Sequence, residues 1–339
     1  MFRSTTHSTQ TASGAPVLRI RPTNRSNLAT AEQRVADALQ VVEELPRELV
    51  SAALKDASAL GYERLVVEGG EPLLYAGLPG LLTRARRLDL HTTVVTNATL
   101  LGQARRWAAV APLIDRLAVT LHGIGAAHDA YVARDGAFDQ AIENLAIVRE
   151  SGIPFGFVVS LTTDNAGSLA DIVRLAADQG ADAVEVQASF EGGLGDDQVV
   201  DAVTAARAAG AELGIEIVSD LVAQDELVLF RGRFVPGFPS RDLTSFAPTL
   251  IVESNGRLRP LSDELPLHLM LGSLHKARLA AFAPAWLAST RAAELAEAAD
   301  RTWWELAAPG APRTARWTSE LSLHVAAAPA PAARVAVAA

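Results

Sequence analysis

The residues best suited to do chemistry lie where short apolar stretches of the sequence end. Gly69-Gly70-Glu71-Pro72 directly follows the apolar stretch 64–68. Two glycines let a backbone approach a ligand closely, and the proline fixes the exit of the turn. The carboxylate of Glu71 can hold an ammonium group or serve as a base. An ordinary turn between a strand and a helix uses the same residues, so the tetrapeptide alone leaves both interpretations open.

Histidines provide a second candidate group. His122 lies where a strand is expected to end, and His128-Asp129 follows six residues later. Such side chains can act as a base or bind a metal, but they more often hold a loop in place through hydrogen bonds. We therefore keep His122 as a candidate base, expect His128 and Asp129 to tie a loop, and predict no metal site.

The elements that must position these side chains alternate between short strands and longer helices. The apolar periodicity predicts strands within 17–22, 64–68, 92–96, 116–121, 155–161, 183–187 and 215–219. It predicts helices within 34–60, 78–87, 100–110, 138–151, 169–179 and 199–213. This alternation is typical of parallel strands joined by right-handed crossovers. The expected fold class is α/β, either a barrel or an open sheet, with a site at the carboxyl ends of the strands.

The pattern changes after about residue 219. Extended runs at 249–253 and 257–259 flank Ser254-Asn255-Gly256, which predicts a hairpin. Residues 277–306 have helical character with an interruption at Pro284, and Trp303-Trp304 suits a helix anchor better than a peptide-binding platform. From residue 326 onward the sequence is rich in alanine and proline, which predicts a disordered tail.

The composition excludes several classes of protein. The chain has 339 residues, 39 acidic against 30 basic side chains, a formal net charge of −9 and no cysteine. Without thiols there is no disulfide framework, no cysteine-bound zinc and no thiolate nucleophile. The acidic balance argues against a nucleic-acid partner, and no apolar run is long enough for a membrane span. Because the start lacks a secretory signal, the expected location is the cytoplasm.

A set of motifs in a fixed order resembles the radical S-adenosylmethionine (SAM) superfamily. The resemblance is to the branch of peptide- and cofactor-maturing enzymes that carry a C-terminal SPASM or twitch extension. It rests on Arg19–Leu28, Gly69–Pro72, Thr96–Leu101, Thr120–Gly123, His128-Asp129 and Gly136–Asp139. It implies a partial (β/α)6 TIM-like barrel at 16–220 and a small SPASM/twitch-like extension with helices at 221–312. A disordered N-terminus at 1–15 and a low-complexity tail at 313–339 complete the expected domains.

The resemblance also implies a SAM site at the carboxyl ends of the strands. Gly69, Gly70, Glu71 and Pro72 would meet the methionine amino group of SAM. On the later strands, the positions that match cofactor-binding residues are Asn97, Thr120, His122, Ser160 and Gln187. Glu71 and His122 are the candidate catalytic residues.

The chain departs from the family pattern at each cysteine that would bind an iron–sulfur cluster. Ser26, Thr30 and Gln33 stand at the three positions of the first loop, and Leu261 stands at a cysteine position of the extension. Hydroxyl and amide groups do not replace thiolates as cluster ligands, so no iron–sulfur cluster is expected. Three different replacements favour natural degeneration over engineered cysteine removal.

Two hypotheses of different class follow. In the first, the protein is a pseudoenzyme that keeps the barrel as a binding or scaffold component of a peptide or natural-product maturation pathway, with a peptide substrate or a partner maturation enzyme. In the second, it is an enzyme that binds SAM without a cluster and uses it in polar transfer chemistry, with Glu71 or His122 as the base.

Overall fold

The computed structural model describes residues 15–29, 43–188 and 194–326. In chain order its strands are β1 (Val17–Ile20), β2 (Arg64–Val67), β3 (His91–Thr96), β4 (Arg116–Thr120), β5 (Phe155–Leu161), β6 (Ala183–Ala188), β7 (Glu216–Ser219), β8 (Leu221–Ala223), β9 (Thr249–Val252), β10 (Arg257–Pro260), β11 (Gly272–Ser273) and β12 (Thr314–Arg316). The α-helices are α1 (Arg47–Ala59), α2 (Leu78–Arg86), α3 (Ala104–Val110), α4 (Ala126–Val132), α5 (Ala137–Ser151), α6 (Leu169–Gln179), α7 (Asp196–Leu213), α8 (Gln224–Leu229), α9 (Arg231–Phe234), α10 (Leu243–Phe246), α11 (Leu279–Leu287), α12 (Thr290–Ala307) and α13 (Trp317–Ala326). Single 3-10 turns lie at Pro72–Leu74, Ala111–Leu113, Ala166–Ser168 and Leu267–Leu269.

One large sheet organises the molecule. Its strand order is β11-β10-β9-β1-β2-β3-β4-β5-β6-β7. All neighbours from β9 to β7 run parallel, whereas β10 and β11 add antiparallel strands beyond β9. The carboxyl ends of the parallel strands therefore share one edge, as a site built from strand ends requires. The α/β prediction with a C-terminal extension is confirmed.

The two faces of the sheet differ in polarity. Leu18 and Ile20 of β1 are fully buried in the hydrophobic core that the helices complete. Successive strand residues point to opposite faces, so Arg19 lies on the other face, where it pairs with Glu68. Parallel strands are usually apolar on both faces, and a charged inner face is a departure that points to a polar ligand or interior.

Several predicted boundaries differ from the observed ones. Of the range 34–60 in which a helix is predicted, residues 34–42 lie outside the described residues, and the described part holds a helix that begins at Arg47, directly after Pro46. The helix predicted from residue 277 is two helices, and the break lies at Ala288 and Ser289 rather than at Pro284, which is inside α11. The Ser289 hydroxyl accepts the backbone N–H of Ala292, so it caps α12 and sets the break there.

The C-terminal region is folded further than the sequence suggested. Residues 314–326 fall in the predicted tail, yet β12 pairs antiparallel with β8 and α13 buries Leu321 and Val325. Of the segments predicted to be disordered, 1–15 and the tail from residue 326, all but residues 15 and 326 lie outside the described residues. Within the part of the chain that the structure describes, no helix has the length and apolar character needed to cross a membrane.

The tryptophan pair has two different environments. The indole N–H of Trp303 donates to the backbone carbonyl of Leu227 over 2.7 Å, which ties α12 to α8 as an anchor should. Trp304 is 62% exposed and does not anchor the helix. The helix-anchor interpretation therefore holds for Trp303 alone.

A buried carboxylate ties the extension to the barrel. Asp56 of α1 is 4% exposed. Its side chain accepts the backbone N–H of Ala280 at 3.1 Å and is paired through both oxygens with the guanidinium of Arg278. These contacts fix the start of α11 against α1.

We expect Asp56→Ala to lower the free energy of unfolding by about 2 kcal/mol, because the backbone N–H of Ala280 and the guanidinium of Arg278 lose the buried carboxylate that accepts from both. Urea unfolding followed by circular dichroism measures the change. The matched control is Asp171→Ala, which removes an exposed carboxylate paired with Arg174 and should cost less than about 0.5 kcal/mol. Equal losses in the two variants would contradict the role given to Asp56.

Candidate ligand-binding site

A cavity of about 500 Å³ lies at the carboxyl ends of the parallel strands. Its volume is within the range of about 300–1,000 Å³ that small-molecule sites occupy. Of the residues selected from the sequence, it brings together Ser26, Gly69, Gly70, Asn97, Thr120, His122, Ser160 and Gln187. Glu71 and Pro72 do not line it.

Glu71 lies behind the cavity wall and stabilises it through hydrogen bonds. It is fully buried, and its carboxylate accepts the backbone N–H groups of Leu73 at 3.0 Å and Asn97 at 2.9 Å. The hydroxyl of Thr96 donates to the same carboxylate, 2.9 Å from each oxygen. Burial raises the pKa of Glu71 to about 6, although these donors act to lower it. The carboxylate thus joins the turn after β2 to the end of β3, and its oxygens are occupied.

The fold itself requires glycine at positions 69 and 70. The turn at Gly69 and Gly70 packs directly on the first loop, where the N–H of Gly70 donates to the carbonyl of Thr23 at 3.0 Å. A Cβ on Gly70 would lie 2.1 Å from the carbonyl oxygen of Arg25, and Gly69 has a φ of +118°. Only glycine fits this close approach. The motif is therefore required by the fold whether or not a ligand binds.

His122 is held as a neutral ring. It stacks on Tyr131, with ring centroids 4.2 Å apart, and its Nδ1 accepts the backbone N–H of Ser160 at 3.3 Å. Burial, with a smaller effect from His128, lowers the pKa of His122 to about 3. With Nδ1 accepting, the hydrogen-bond network assigns the ring proton to Nε2. At neutral pH the side chain suits hydrogen-bond donation better than proton abstraction.

His128 and Asp129 support the strand end and its loop. The Nδ1 atom of His128 accepts the backbone N–H of His122 at 3.1 Å, and burial lowers the pKa of His128 to about 4. Asp129 accepts the N–H groups of Gly136 at 2.7 Å and Phe138 at 2.8 Å. This is the loop-tying role expected from the sequence. Across residues 15–29, 43–188 and 194–326, no group of three or more His, Asp and Glu side chains could hold a metal ion.

Some of the polar side chains that face the cavity already make hydrogen bonds to other side chains of the protein. The amide nitrogen of Asn97 donates to Asn27 at 3.0 Å, and that of Gln187 donates to Glu185 at 2.9 Å. Thr120 and Ser160 add hydroxyl groups from β4 and β5. Short hydroxyls and oriented amides of this kind fix the orientation of a small polar ligand.

A charged group in the same cavity was missed by the sequence interpretation. Glu68 lies between two arginines of the first strand region, 3.1 Å from Nε of Arg19 and 3.0 Å from Nε of Arg21. Burial alone would raise the pKa of Glu68, but the two guanidinium groups outweigh it and lower the pKa. Arg21 also contacts Asp263 of the extension at 2.7 Å. The available signal was the alternation Arg19-Ile20-Arg21 in a strand otherwise predicted to be apolar.

The two described positions where the family pattern has cysteine, Ser26 and Leu261, supply no cluster ligand. Ser26 lines the cavity, and its hydroxyl accepts the backbone N–H of Leu28 at 3.1 Å. Thr30 and Gln33 lie outside the described residues. Leu261 packs against the core and adopts a left-handed conformation with φ of +61°. A serine hydroxyl and a leucine do not supply the soft ligands of an iron–sulfur cluster, so these residues do not fit that group.

Comparison with known proteins supports the superfamily resemblance. Residues 35–176 match the family model described as Radical SAM superfamily, and the match begins after Ser26, Thr30 and Gln33. A pre-heme d1 synthase of Dinoroseobacter shibae is 32% identical over 145 residues, which cover 41% of this chain and 35% of that protein. A PqqA peptide cyclase of Gluconobacter oxydans is 26% identical over 137 residues, which cover 40% and 38%. The chain thus spans little more than a third of the length of these relatives.

Solved structures share the architecture over a larger part of the chain. The structure of anSMEcpe with bound AdoMet has a TM-score of 0.62 at 13% identity and covers 92% of both chains. Streptococcus suis SuiB bound to S-adenosylmethionine has a TM-score of 0.54 at 16% identity, over 74% of this chain and 60% of that one. At these identities the likeness is one of fold: a partial barrel with a parallel sheet and a C-terminal extension.

We expect Gly70→Ala to destabilise the protein by about 3 kcal/mol or more, because the new methyl group would overlap backbone that has no room to move. Thermal or urea unfolding checks this. Gly80→Ala is the matched control, since an added Cβ at Gly80 of α2 would meet no atom within 4 Å apart from its chain neighbours and the backbone of its own helix, and it should be neutral or stabilise by about 0.5–1 kcal/mol. A well-tolerated Gly70→Ala would show that the contact with the first loop is loose.

We expect the free energy of unfolding to fall as the pH drops from about 6.5 towards 4. His122 and His128 have folded pKa values of about 3 and about 4, below the usual histidine pKa of about 6.5, so the unfolded chain binds more protons in this window. Each histidine contributes a slope of up to about 1.4 kcal/mol per pH unit. Glu71, whose pKa is raised to about 6, acts in the opposite sense between about 6 and 4.5 and offsets part of the loss.

Urea unfolding of the wild type and of His122→Gln at pH 7, 6 and 5 measures this dependence. The variant should show a shallower slope than the wild type. Thr290→Val, an exposed change that removes no titratable group, should keep the wild-type slope. An unchanged slope in His122→Gln would show that His122 is not the buried neutral group described above.

Proposed function

We propose that this chain, residues 35–176 of which match the radical SAM superfamily model, is a cluster-free binding protein that holds SAM in the cavity at the strand ends and serves a peptide or natural-product maturation pathway. The observation that carries the proposal is a polar cavity of about 500 Å³ kept at the cofactor end of the barrel in a chain with no cysteine.

The chemistry of the first loop argues against radical initiation. Radical cleavage of SAM needs an electron, which the iron–sulfur cluster supplies in the superfamily. Cysteine is absent from all 339 residues, and Ser26 offers a hydroxyl that is already hydrogen-bonded to Leu28. No step through a cluster is therefore proposed.

The contacts of the two candidate bases argue against the polar-enzyme hypothesis. The Glu71 carboxylate is buried, accepts hydrogen bonds from three residues and is not part of the cavity lining. His122 has a pKa of about 3, so it is a weak base at neutral pH. A general base works best when its pKa is near the working pH and it reaches the substrate, and neither residue meets both conditions. Binding without catalysis is the function that these contacts favour.

The cavity lining suits SAM. Gly69 and Gly70 let the backbone approach the ligand, and the hydroxyls of Thr120 and Ser160 and the amide of Gln187 would hydrogen-bond its polar groups. Bound SAM would supply an activated methyl group, which this cavity would hold without a suitably placed base. Two solved relatives support a peptide partner by analogy, since anSMEcpe is described with AdoMet and a Cp18Cys peptide and SuiB with its precursor peptide SuiA.

Calorimetric titration of SAM into the purified protein tests the proposal. We expect saturable binding to the wild type and a loss of about 5- to 10-fold in affinity for Thr120→Val, which keeps the shape but removes a hydroxyl from the cavity. Thr290→Val, an exposed change at the start of α12, is the matched control and should bind as the wild type does.

Three results would contradict the proposal. An absence of SAM binding would remove SAM as the ligand. Turnover of SAM by the wild type would favour the polar enzyme. Stoichiometric iron and sulfide after anaerobic reconstitution, with the absorption of an iron–sulfur cluster, would overturn the cluster-free assignment.

A further inference from the structure

The extension places one carboxylate inside the barrel cavity. Asp263 follows β10, and its Oδ2 atom lies 2.7 Å from a terminal nitrogen of Arg21, a residue 242 positions earlier. Both side chains line the cavity of about 500 Å³. The barrel and the extension therefore meet at this ion pair, within the candidate site.

The two carboxylates that contact Arg21 differ in how they are held. The Glu68 side chain is 8% exposed and is shared by Arg19 and Arg21, so it is the fixed counter-ion of the pair. The Asp263 side chain is 48% exposed and contacts Arg21 through one oxygen. Arg21 therefore has two carboxylate partners, the buried Glu68 and the half-exposed Asp263 at the edge of the cavity.

We propose that the outer side of Arg21 is a carboxylate subsite and that Asp263 occupies it as an internal stand-in until a ligand carboxylate replaces it. The planar guanidinium is well suited to a carboxylate, because its parallel N–H groups match the two oxygens. The proposal rests on the proposed function, since it assigns part of the ligand in the same cavity. The ligand carboxylate belongs either to SAM itself or to a second molecule such as a peptide end.

The exchange of Asp263 for a ligand is balanced in charge. One carboxylate leaves Arg21 as another arrives, so the charge of the cavity stays the same. Asp263 is already half in water, and a half-exposed ion pair costs little to separate. Replacement of Glu68 would instead strip a buried partner from two arginines at once, which is far more costly.

The test compares two small probes that differ only in charge, N-acetylglycine and N-acetylglycinamide. Each is titrated by ligand-detected NMR into the wild type, into Asp263→Asn and into Asp300→Asn. The last variant is the matched control, because it removes a carboxylate that is 43% exposed and paired with Arg231 outside the cavity. Circular dichroism verifies that each variant is folded, and Asp263→Ser replaces Asp263→Asn if the latter is not.

We expect N-acetylglycine to bind about 5-fold tighter to Asp263→Asn than to the wild type, because its competitor is gone and the half-exposed ion pair that it replaces is weak. N-acetylglycinamide should be unaffected, and Asp300→Asn should behave as the wild type does. In a parallel arm, SAM and decarboxylated SAM are titrated into the same proteins. If Asp263→Asn tightens SAM but not its decarboxylated form, the carboxylate is that of SAM; if it tightens N-acetylglycine alone, the carboxylate belongs to a second ligand.

The subsite is overturned if Asp263→Asn tightens neither N-acetylglycine nor SAM relative to its carboxylate-free counterpart. This result is distinct from a failure of the proposed function. A protein that binds no SAM but shows the N-acetylglycine effect keeps the subsite and loses SAM as its ligand, whereas SAM binding that is indifferent to Asp263 keeps the proposed function alone.

Discussion

The carboxylate of Glu71 is the contact on which the rest of the site depends. It joins the turn after β2 to the end of β3 through Leu73, Thr96 and Asn97, at the edge where the parallel strands finish. With that turn fixed, the backbone N–H groups of Gly70 and Glu71 donate to the carbonyls of Thr23 and Arg25 in the first loop. The loop and the strand ends then enclose the cavity, so one buried acid sets the shape of a wall that it does not itself line.

The Gly-Gly-Glu-Pro motif can therefore remain in the sequence for structural reasons even if no activity depends on it. A Gly-Gly-Glu-Pro turn in a chain without cysteine suggests at first that cofactor binding has been retained. Here the close contact with Arg25 and the hydrogen bonds of Glu71 give the same residues a purely structural necessity. Support for a ligand comes instead from the hydroxyl groups of Thr120 and Ser160, which line the cavity. It also comes from Arg19 and Arg21, the two arginines that share Glu68.

The sequence was most informative where structure is local. The bounds of β5 and α6 agree with the predicted ranges, because apolar periodicity and the glycine after the helix act within a few residues. The partners of Glu71 and Arg21 could not be found in this way. Thr96 and Asp263 lie 25 and 242 residues away from them, and only the order of strands in the sheet and the path of the extension bring them close. The break between α11 and α12 was misplaced because Ser289, as a helix cap, determined it rather than the proline.

The position of β1 in the sheet has a consequence for how the protein is made. β1 lies between β2 and β9, and its pairing with β9 requires residues 249–252. A ribosome adds about 5–20 residues per second, so one edge of β1 stays unpaired for tens of seconds while the intervening chain is synthesised. An unpaired strand edge is a template for association with other chains. The nascent chain therefore has to protect this edge, or delay the folding of the barrel, until the extension has left the ribosome.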